Sequence, residues 1–313
     1  MKKISIKAPA KVNLGLYITN KRPDAYHELA SIFLPVALYD HLDLNINPYS
    51  NTLKINVSGP FATSCPTDER NTVFKIYNLM KELYDQRKKS NARALITGID
   101  LNLTKNIPSE AGLGGGSSDA AGFLKALDQL WDLNLSIDEL KAIGSKVGAD
   151  VPFFIQESPA MVKGIGDIIR PFELQRDYWV IIVKPKAGLS TAQVYKAFTL
   201  DLTLKNSNAK HSELLESLSF HGLKKVEELS VLSNDLERVS SAILPDINII
   251  SNYLKKMKPN VCMMSGSGSA VFALFDKEPE QKLQSLDSSW FLCSTKVLRG
   301  QYANYRNQSL SGK

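Results

Sequence analysis

The stretch that decides the fold is Ile107-Pro108-Ser109-Glu110-Ala111-Gly112-Leu113-Gly114-Gly115-Gly116-Ser117-Ser118-Asp119-Ala120-Ala121. Its glycines allow the backbone to approach a ligand closely and to turn successive N–H groups toward one point. Helical spacing predicts that the following helix buries one face, which consists of Ala120, Phe123, Leu124, Leu127, Leu130 and Trp131. The first N–H groups of such a helix are unpaired and carry partial positive charge. The stretch therefore predicts a phosphate-binding site at the start of a helix.

Three other interpretations of this loop fit less well. A plain turn with Ser117 or Ser118 as N-cap would not need the glycine run before it. A Walker loop requires a Lys before its final Ser or Thr, where this chain has Gly116. The dinucleotide pattern G-x-G-x-x-G, counted from Gly112, would require a glycine where Ser117 stands.

The pattern Pro-x-x-x-Gly-Leu-Gly-x-x-Ser-Ser resembles the ATP-binding loop of the GHMP kinase superfamily. Two further segments, Pro9–Leu16 and Met264–Ala273, resemble its first and third motifs in the same order. The resemblance implies an α+β fold of two domains, with a ribosomal-S5-like N-terminal domain at 1–157 and a ferredoxin-like C-terminal domain at 158–313. It also implies an active site in the cleft between those domains.

The composition is that of an ordinary globular protein. The chain has 313 residues, enough for two domains, and 43% of them are hydrophobic and 22% charged. The sequence has no apolar run long enough to predict a membrane span, and no apolar core of a signal peptide. We therefore expect no membrane partner. The three cysteines, Cys65, Cys262 and Cys293, form no disulfide or zinc pattern and suit a bacterial cytoplasm.

The charge pattern gives a second expectation about partners. The net charge is +6 and the pI about 9.0, but the basic residues are dispersed apart from short groups such as 87–89 and 255–256. Such groups are typical of solvated helix faces, so we expect no nucleic-acid partner. A mildly basic protein would suit small polyanionic substrates. Both a monomer and a homodimer remain open.

Hydrophobic periodicity predicts alternating helices and strands. Strands are predicted at 3–7, 11–19, 42–46, 53–57, 101–105, 179–183, 261–264 and 271–275. Helices are predicted at 73–84, directly after the phosphate loop, and at 137–147, 212–218 and 245–257. Ser136, with Glu139 three residues later, predicts a capping box.

The superfamily resemblance implies the nucleotide site. The ATP-binding residues would be Pro108, Gly112, Leu113, Gly114, Gly115, Gly116, Ser117 and Ser118 in the loop, with Asn71 and Lys105 at adenine-pocket positions. Mg²⁺ would be held by the ATP phosphates, water and a loop serine. No acidic metal ligand can be placed, so the metal ligands of the protein stay unknown.

Asp150 is the candidate residue for orienting or deprotonating the acceptor hydroxyl. It lies in Gly148-Ala149-Asp150-Val151-Pro152-Phe153-Phe154, where Val-Pro predicts an extended backbone that projects the carboxylate among apolar neighbours. On local sequence alone, an aspartate that forms a turn with its own backbone is an equal alternative. The segment resembles the catalytic-aspartate segment of the superfamily, and this resemblance implies a catalytic role.

Lys11 is the candidate cation. A lone lysine at the start of a strand is usually a surface charge, but Lys11 matches the lysine of the superfamily's first motif. An ammonium near Asp150 would keep that carboxylate ionised and polarise the hydroxyl. Whether Asp150 takes the proton early or mainly orients the hydroxyl stays open. Asn13 faces the same side of the strand and would either bind the acceptor or be an exposed polar residue.

The segment Arg22-Pro23-Asp24-Ala25-Tyr26-His27-Glu28-Leu29 indicates the substrate. It resembles the cytosine-binding stretch of one branch of the superfamily, with Ala25 in place of the usual glycine. Tyr26 would offer a stacking face and His27 a ring donor and acceptor for a base edge. Packing is the commoner role of a Tyr-His pair seen alone. Further substrate-binding positions implied by the resemblance are Tyr195, Gly266, Ser267 and Gly268.

These resemblances together imply a phosphotransferase with an alcohol acceptor. The implied reaction is ATP-dependent phosphorylation of the 2-hydroxyl of 4-diphosphocytidyl-2-C-methyl-D-erythritol, in the non-mevalonate route to isoprenoid precursors. The alternative is another small-molecule kinase of the superfamily, of the homoserine or mevalonate type. A non-catalytic nucleotide sensor fits less well, because both Lys11 and Asp150 are present.

Overall fold

The computed structural model describes residues 3–24, 26–88, 98–198, 205–280 and 287–300. The strands in this part of the chain are β1 (Lys3–Lys21), β2 (His27–Ile46), β3 (Leu53–Ser58), β4 (Ile99–Thr104), β5 (Ala160–Gly164), β6 (Ile168–Pro171), β7 (Trp179–Lys184), β8 (Val261–Met264), β9 (Val271–Phe275) and β10 (Phe291–Lys296). The helices are α1 (Thr72–Lys88), α2 (Gly115–Leu130), α3 (Ile137–Ser145), α4 (Val151–Gln156), α5 (Thr191–Ala197), α6 (Lys205–Phe220), α7 (Glu237–Ile243) and α8 (Asp246–Lys255). No helix among the described residues is both long and apolar enough to cross a membrane.

The chain divides into two compact units that are interleaved in sequence. Unit 1 comprises Met1–Ala10, Leu38–Ser109 and Gly114–Ile155, and unit 2 comprises Lys11–Ala37, Glu110–Leu113 and Gln156–Lys313. Both β1 and β2 contribute residues to each unit, and the phosphate loop changes unit after Leu113. The last change of unit, after Ile155, falls close to the predicted boundary at 157/158. The consecutive domains 1–157 and 158–313 stay a prediction.

Unit 1 combines strands with α1, α2, α3 and all but the last residue of α4. β4 is parallel to β3 and antiparallel to the second half of β2, with His41 opposite Thr104. α2 packs against α1 and α3. It also lies against β1, since a Cβ built on Gly122 would come 3.0 Å from Ile6 Cγ2. The predicted apolar face of α2 is confirmed as core, because all six of its residues are buried.

Unit 2 contains the first half of β2, which pairs antiparallel with β5, and β5 in turn pairs with β6. A separate sheet has four antiparallel strands in the order β10-β7-β9-β8. α8 packs on β8 and β9. Its apolar side joins a core that includes Ile181, Val183, Ile247, Ile250, Leu254, Val271 and Ala273.

Several sequence predictions are confirmed by these elements. β8 and β9 match the predicted strands at both ends, and β7 contains the predicted strand at 179–183. The capping box is present, since Ser136 Oγ accepts from Glu139 N at 3.2 Å and Glu139 Oε2 accepts from Ser136 N at 2.8 Å. The predicted strands at 3–7 and 11–19 are instead one strand, β1, which pairs with β2.

Candidate active site

The phosphate loop leaves backbone donors free at the start of α2. The N-cap is Gly114, with a φ of 73°, and Ser118 N donates to its carbonyl oxygen at 2.9 Å. The alternative of a plain turn capped by Ser117 or Ser118, which the sequence already disfavoured, is thereby excluded, and glycine adopts the left-handed conformation of this N-cap without strain. Among the described residues, the N–H groups of Gly115, Gly116 and Ser117 have no protein acceptor. These three donors at a helix start can bind an anion.

The start of α1 lies beside this loop. Thr72 Oγ1 donates to the carbonyl oxygen of Gly116 at 2.9 Å. Asn71 caps α1, because its Oδ1 accepts from Val73 N at 3.1 Å while its Nδ2 donates to Pro66 O at 2.8 Å. The predicted adenine-pocket residue Asn71 is thus close to the phosphate loop, and its side chain holds the local backbone.

Lys105 is buried in an ion cluster rather than exposed to a pocket. Its Nζ donates to Oδ2 of Asp40 and, at 2.5 Å, to Oδ2 of Asp119. Asp40 Oδ1 accepts from the backbone N–H groups of Asn106 at 2.6 Å and Ile107 at 2.8 Å. The adjacent Pro108 is buried as well. The cluster ties the segment before the phosphate loop to the first turns of α2.

The charges in this cluster do not balance, because one lysine faces two carboxylates. Burial favours the neutral amine of Lys105, but Asp119 and Asp40 outweigh it and raise the pKa of Lys105. Burial raises the pKa of Asp119 to about 7, with Asp40 adding to burial and Lys105 opposing it. Asp119 Oδ1 and Ser118 Oγ are buried without a hydrogen-bond partner among the described residues.

The Asp150 segment approaches the phosphate helix within unit 1. A Cβ built on Gly148 would lie 3.6 Å from Ser117 Oγ. The predicted extended backbone at Val151-Pro152 is wrong, because α4 begins at Val151 and the carbonyl of Asp150 accepts from Phe154 N at 3.4 Å. Proline is tolerated there because the first turn of a helix needs no partner for its missing N–H. Asp150 is thus the residue before a helix, and it is partly exposed.

Lys11 and Asn13 form a buried polar pair in unit 2. Lys11 Nζ donates to Asn13 Oδ1 at 2.5 Å and lies 4.8 Å from the centroid of the Phe33 ring. Asn13 Nδ2 donates to Ser31 Oγ at 3.3 Å, and Ser31 Oγ donates to Gly15 O at 2.6 Å. The two side chains therefore share a side of β1 as predicted, but both are buried, so neither is the surface residue that sequence statistics favour.

The three glycine-containing motifs meet in unit 2. Lys11 N donates to Leu113 O at 3.0 Å, and Asn13 N donates to Ser265 Oγ at 3.3 Å. Ser265 Oγ donates to Gly112 O at 2.9 Å. Gly112 has a φ of 69°, and a Cβ built on it would lie 1.9 Å from Ser265 O, so only glycine fits this contact. The structure therefore brings together residues from all three motifs.

The third motif forms a tight loop after β8. Gly266 and Gly268 have φ values of 55° and 86°, and Gly268 N donates to Ser265 O at 2.9 Å. A Cβ built on Gly266 would lie 3.2 Å from Asn13 Oδ1. Ser267 is buried, and its hydroxyl is hydrogen-bonded to that of Thr191 at 2.8 Å. Of the predicted substrate-binding glycines, Gly266 thus lies next to Asn13.

His27 and Tyr195 are neighbours in unit 2, as expected for a shared base site. Their ring centroids are 5.3 Å apart, and Phe198 lies edge-on to His27 at 6.1 Å. Burial and the charge of Lys21 lower the pKa of His27 below its ordinary value. Tyr26 is 62% exposed. Ala25, the departure from the family pattern, lies outside the described residues.

Sequence reasoning missed Asp40, Asp119, Ser31 and Ser265. A signal existed for the ion cluster: Lys105 continues the buried alternation of Leu101 and Leu103, and Asp119 is one helical turn before Phe123. Charged residues on a buried face predict a buried ion pair, although they do not identify the partner. Among the described residues, no group of three or more His, Cys, Asp or Glu side chains could hold a metal ion.

Comparison with known proteins adds a direct measure of relationship. The N-terminal domain of GHMP kinases matches residues 71–158. A 4-diphosphocytidyl-2-C-methyl-D-erythritol kinase from Shouchella clausii (strain KSM-K16) is 39% identical over 279 residues, which are 88% of this chain and 87% of that protein. A crystal structure of 4-(cytidine 5'-diphospho)-2C-methyl-D-erythritol kinase superposes with a TM-score of 0.65 at 30% identity, covering 88% of this chain and 91% of that one.

A solved homoserine kinase is similar in fold. The enzyme from Cytophaga hutchinsonii ATCC 33406 superposes with a TM-score of 0.72 and covers 96% of each chain, at 16% sequence identity. Likeness at that identity indicates a common fold and carries no information on the acceptor.

Proposed function

This chain belongs to the family of 4-diphosphocytidyl-2-C-methyl-D-erythritol kinases, and from that premise we propose how its residues perform the transfer. The protein is a GHMP kinase that uses ATP to phosphorylate the 2-hydroxyl of 4-diphosphocytidyl-2-C-methyl-D-erythritol, in the non-mevalonate route to isoprenoid precursors. We place the reaction in the bacterial cytoplasm, where its three free cysteines would stay reduced.

The main support for the mechanism is that hydrogen bonds join residues of the three motifs around a buried lysine. Lys11 is 4% exposed and reaches Asn13, while its backbone binds the phosphate-loop residue Leu113. Burying a lysine in this way has a desolvation cost, and a role for its ammonium in the reaction would explain why the cost is tolerated. This supports a role for Lys11 in the reaction.

ATP would bind with its phosphates at the start of α2. The free N–H groups of Gly115, Gly116 and Ser117 supply donors, and the helix dipole adds partial positive charge. For Mg²⁺, Ser118 fits the expected loop serine, because its hydroxyl oxygen is buried without a partner among the described residues. When bound, the ion would neutralise part of the phosphate charge.

Lys11 and Asp150 would divide the chemistry at the acceptor. Asp150 would orient the 2-hydroxyl or take its proton, and Lys11 would keep charge balanced as the oxygen attacks the γ-phosphate. The closeness of Gly148 to Ser117 supports this, since it brings the Asp150 segment next to the phosphate helix.

The cytidyl group would bind beside His27 and Tyr195. Tyr195 offers a face for stacking, and the neutral imidazole of His27 offers one donor and one acceptor to the base edge. Their ring separation of 5.3 Å supports a common site in unit 2. Gly266, Ser267 and Gly268 would line the alcohol end next to Asn13.

The direct test combines turnover with matched variants. The purified protein with ATP, Mg²⁺ and the cytidyl alcohol should produce ADP. Lys11→Ala and Asp150→Ala should each lower kcat by about 10²- to 10⁴-fold while ATP still binds. Lys7→Ala in β1 and Asp138→Ala in α3 remove the same residue types elsewhere and should leave kcat unchanged. Normal turnover by both site variants would show that the assigned roles are wrong.

The choice of acceptor needs its own experiment. Homoserine, mevalonate and 2-C-methyl-D-erythritol 4-phosphate should be poor acceptors, because each lacks the cytidyl group that His27 and Tyr195 would bind. Equal kcat/KM for an acceptor without cytosine would favour the homoserine- or mevalonate-type alternative. Substitution of His27 should raise the KM of the cytidyl alcohol more than it lowers kcat.

A further inference from the structure

A single buried ion cluster reaches both ends of the phosphate loop. Lys105 and Asn106 precede the loop, and Asp119 lies in α2 just after it. Lys105 Nζ binds Asp40 and Asp119, while Asp40 also accepts from the backbone of Asn106 and Ile107. The side chains of Lys105, Asp40 and Asp119 are 5%, 0% and 3% exposed. The cluster is thus an internal brace between the two ends of the loop.

The cluster also lies directly under the first residue of α2. A Cβ built on Gly115 would come 3.0 Å from Ile107 Cγ2 and 3.5 Å from Asp40 Oδ2. Gly115 carries the first of the three free N–H groups. A shift of the cluster would therefore move the donors that face the phosphates.

We propose that Asp40, Lys105 and Asp119 are positioning residues that hold the N–H groups of Gly115, Gly116 and Ser117 in place for the triphosphate. This inference rests on the proposed function. It assigns Lys105 a different role from the adenine contact implied by the family resemblance, since its ammonium is occupied by two carboxylates. Glycine-rich backbone has many accessible conformations, and fixing it before binding removes an entropic cost from the binding step.

Asp119→Ala is the variant that tests the brace. It cuts the link to α2 and leaves Lys105 and Asp40 as a neutral pair, whereas Lys105→Met would leave two buried carboxylates without a cation. The probes are ATP and inorganic tripolyphosphate, each titrated calorimetrically with and without Mg²⁺. Asp119→Ala should lower the affinity for both probes by the same factor, about tenfold, with and without Mg²⁺. Asp119→Asn keeps an oxygen acceptor for Lys105 and should restore most of the affinity.

Asp128→Ala is the matched control for lost stability. Asp128 is a buried carboxylate in the same helix that accepts from Leu135 N at 2.9 Å, away from the phosphate loop. The Asp128→Ala variant should have a lower unfolding midpoint but an unchanged affinity for tripolyphosphate. In turnover assays Asp119→Ala should raise the KM of ATP and leave that of the cytidyl alcohol unchanged.

Each contrary result has a distinct meaning. A loss of ATP affinity with unchanged tripolyphosphate affinity would place the effect at the adenine and overturn the brace. A loss confined to buffers with Mg²⁺ would make Asp119 a metal ligand instead. If Asp128→Ala lost as much affinity for the two probes as Asp119→Ala, the cluster would have only a general stabilising role. If the unmodified protein bound neither probe, the proposed phosphate site would fail, independently of the brace.

Discussion

Lys11, Lys105 and Asp119 are charged residues that the fold buries, and each has a polar partner. A buried charge that loses its partner is strongly destabilising, by about 3–5 kcal/mol. Lys11 is bound by Asn13, and Lys105 joins Asp119 to Asp40. Single-residue changes in the site therefore affect both stability and chemistry, and useful tests must separate the two.

Gly116 provides such a separation. A Cβ built there meets only Thr72 Oγ1, at 4.0 Å, so alanine fits the free protein and should stabilise α2 by up to about 1 kcal/mol. The methyl group would project where the phosphates are expected. Gly116→Ala should keep or raise the unfolding midpoint while increasing the KM of ATP about tenfold or more.

The contrasting variant is Gly112→Ala, whose Cβ would lie 1.9 Å from Ser265 O at a φ of 69°. It should lower the unfolding midpoint in denaturant. A Gly116→Ala protein with unchanged ATP kinetics would show that phosphate does not approach this backbone.

His27 should give the substrate KM a characteristic pH dependence. Burial and Lys21 lower the pKa of His27, so the ring stays neutral at neutral pH. The KM of the cytidyl alcohol should be constant around neutrality and rise only at a pH below the ordinary histidine value of about 6.5. Lys21→Ala removes a positive neighbour, which favours the protonated ring and should shift this rise to higher pH. The KM of ATP, measured in the same series, should not respond to Lys21→Ala; an equal shift in both would exclude His27 as its source.

At the scale of elements, α2 and α3 begin in opposite ways. α2 starts after Gly114 without a side-chain cap, and its first N–H groups stay available to a ligand. α3 starts with a capping box in which Ser136 and Glu139 satisfy the same kind of donors internally. Of these two helices, α2 therefore has N–H groups available to a ligand at its start, whereas α3 satisfies them with its own side chains.

Ser136→Ala should therefore affect stability alone. Loss of the cap should lower the free energy of unfolding by about 1 kcal/mol, measured by denaturant titration. Since α3 contributes no residue to the proposed site, kcat and the KM of ATP should be unchanged. Ser136→Asp, which retains a capping oxygen, should recover most of the stability. A fall in kcat for Ser136→Ala at full folding would mean that α3 takes part in the site.

At the scale of the whole molecule, the net charge of +6 suits two anionic substrates. Raising the salt concentration should increase the KM of ATP, because screening weakens attraction at distances beyond about 8–10 Å. The dependence should be steeper for ATP than for the less charged ADP, when both are titrated with the protein. kcat at saturating substrate should change little. An ATP affinity that is independent of salt would show that net charge plays no part in binding.

The sequence by itself determined what depends on neighbouring residues. Glycine spacing in 112–116 predicted free N–H groups at a helix start, and apolar spacing predicted the buried face of α2. The Ser136–Glu139 capping box and the strands β8 and β9 were also predictable. These features are set by local backbone preferences and by side-chain periodicity, which are properties of short stretches of chain.

Tertiary structure alone decided which distant residues meet. Asp40, Lys105 and Asp119 come from a strand, the end of another strand and a helix, and only folding brings them together. The contact of Gly112 with Ser265 likewise joins positions far apart in the chain. Val151 is a local example, because it is the first residue of α4 although the residue before a proline favours an extended conformation. Burial and packing set these outcomes, because their free energies depend on neighbours that no short stretch of sequence contains.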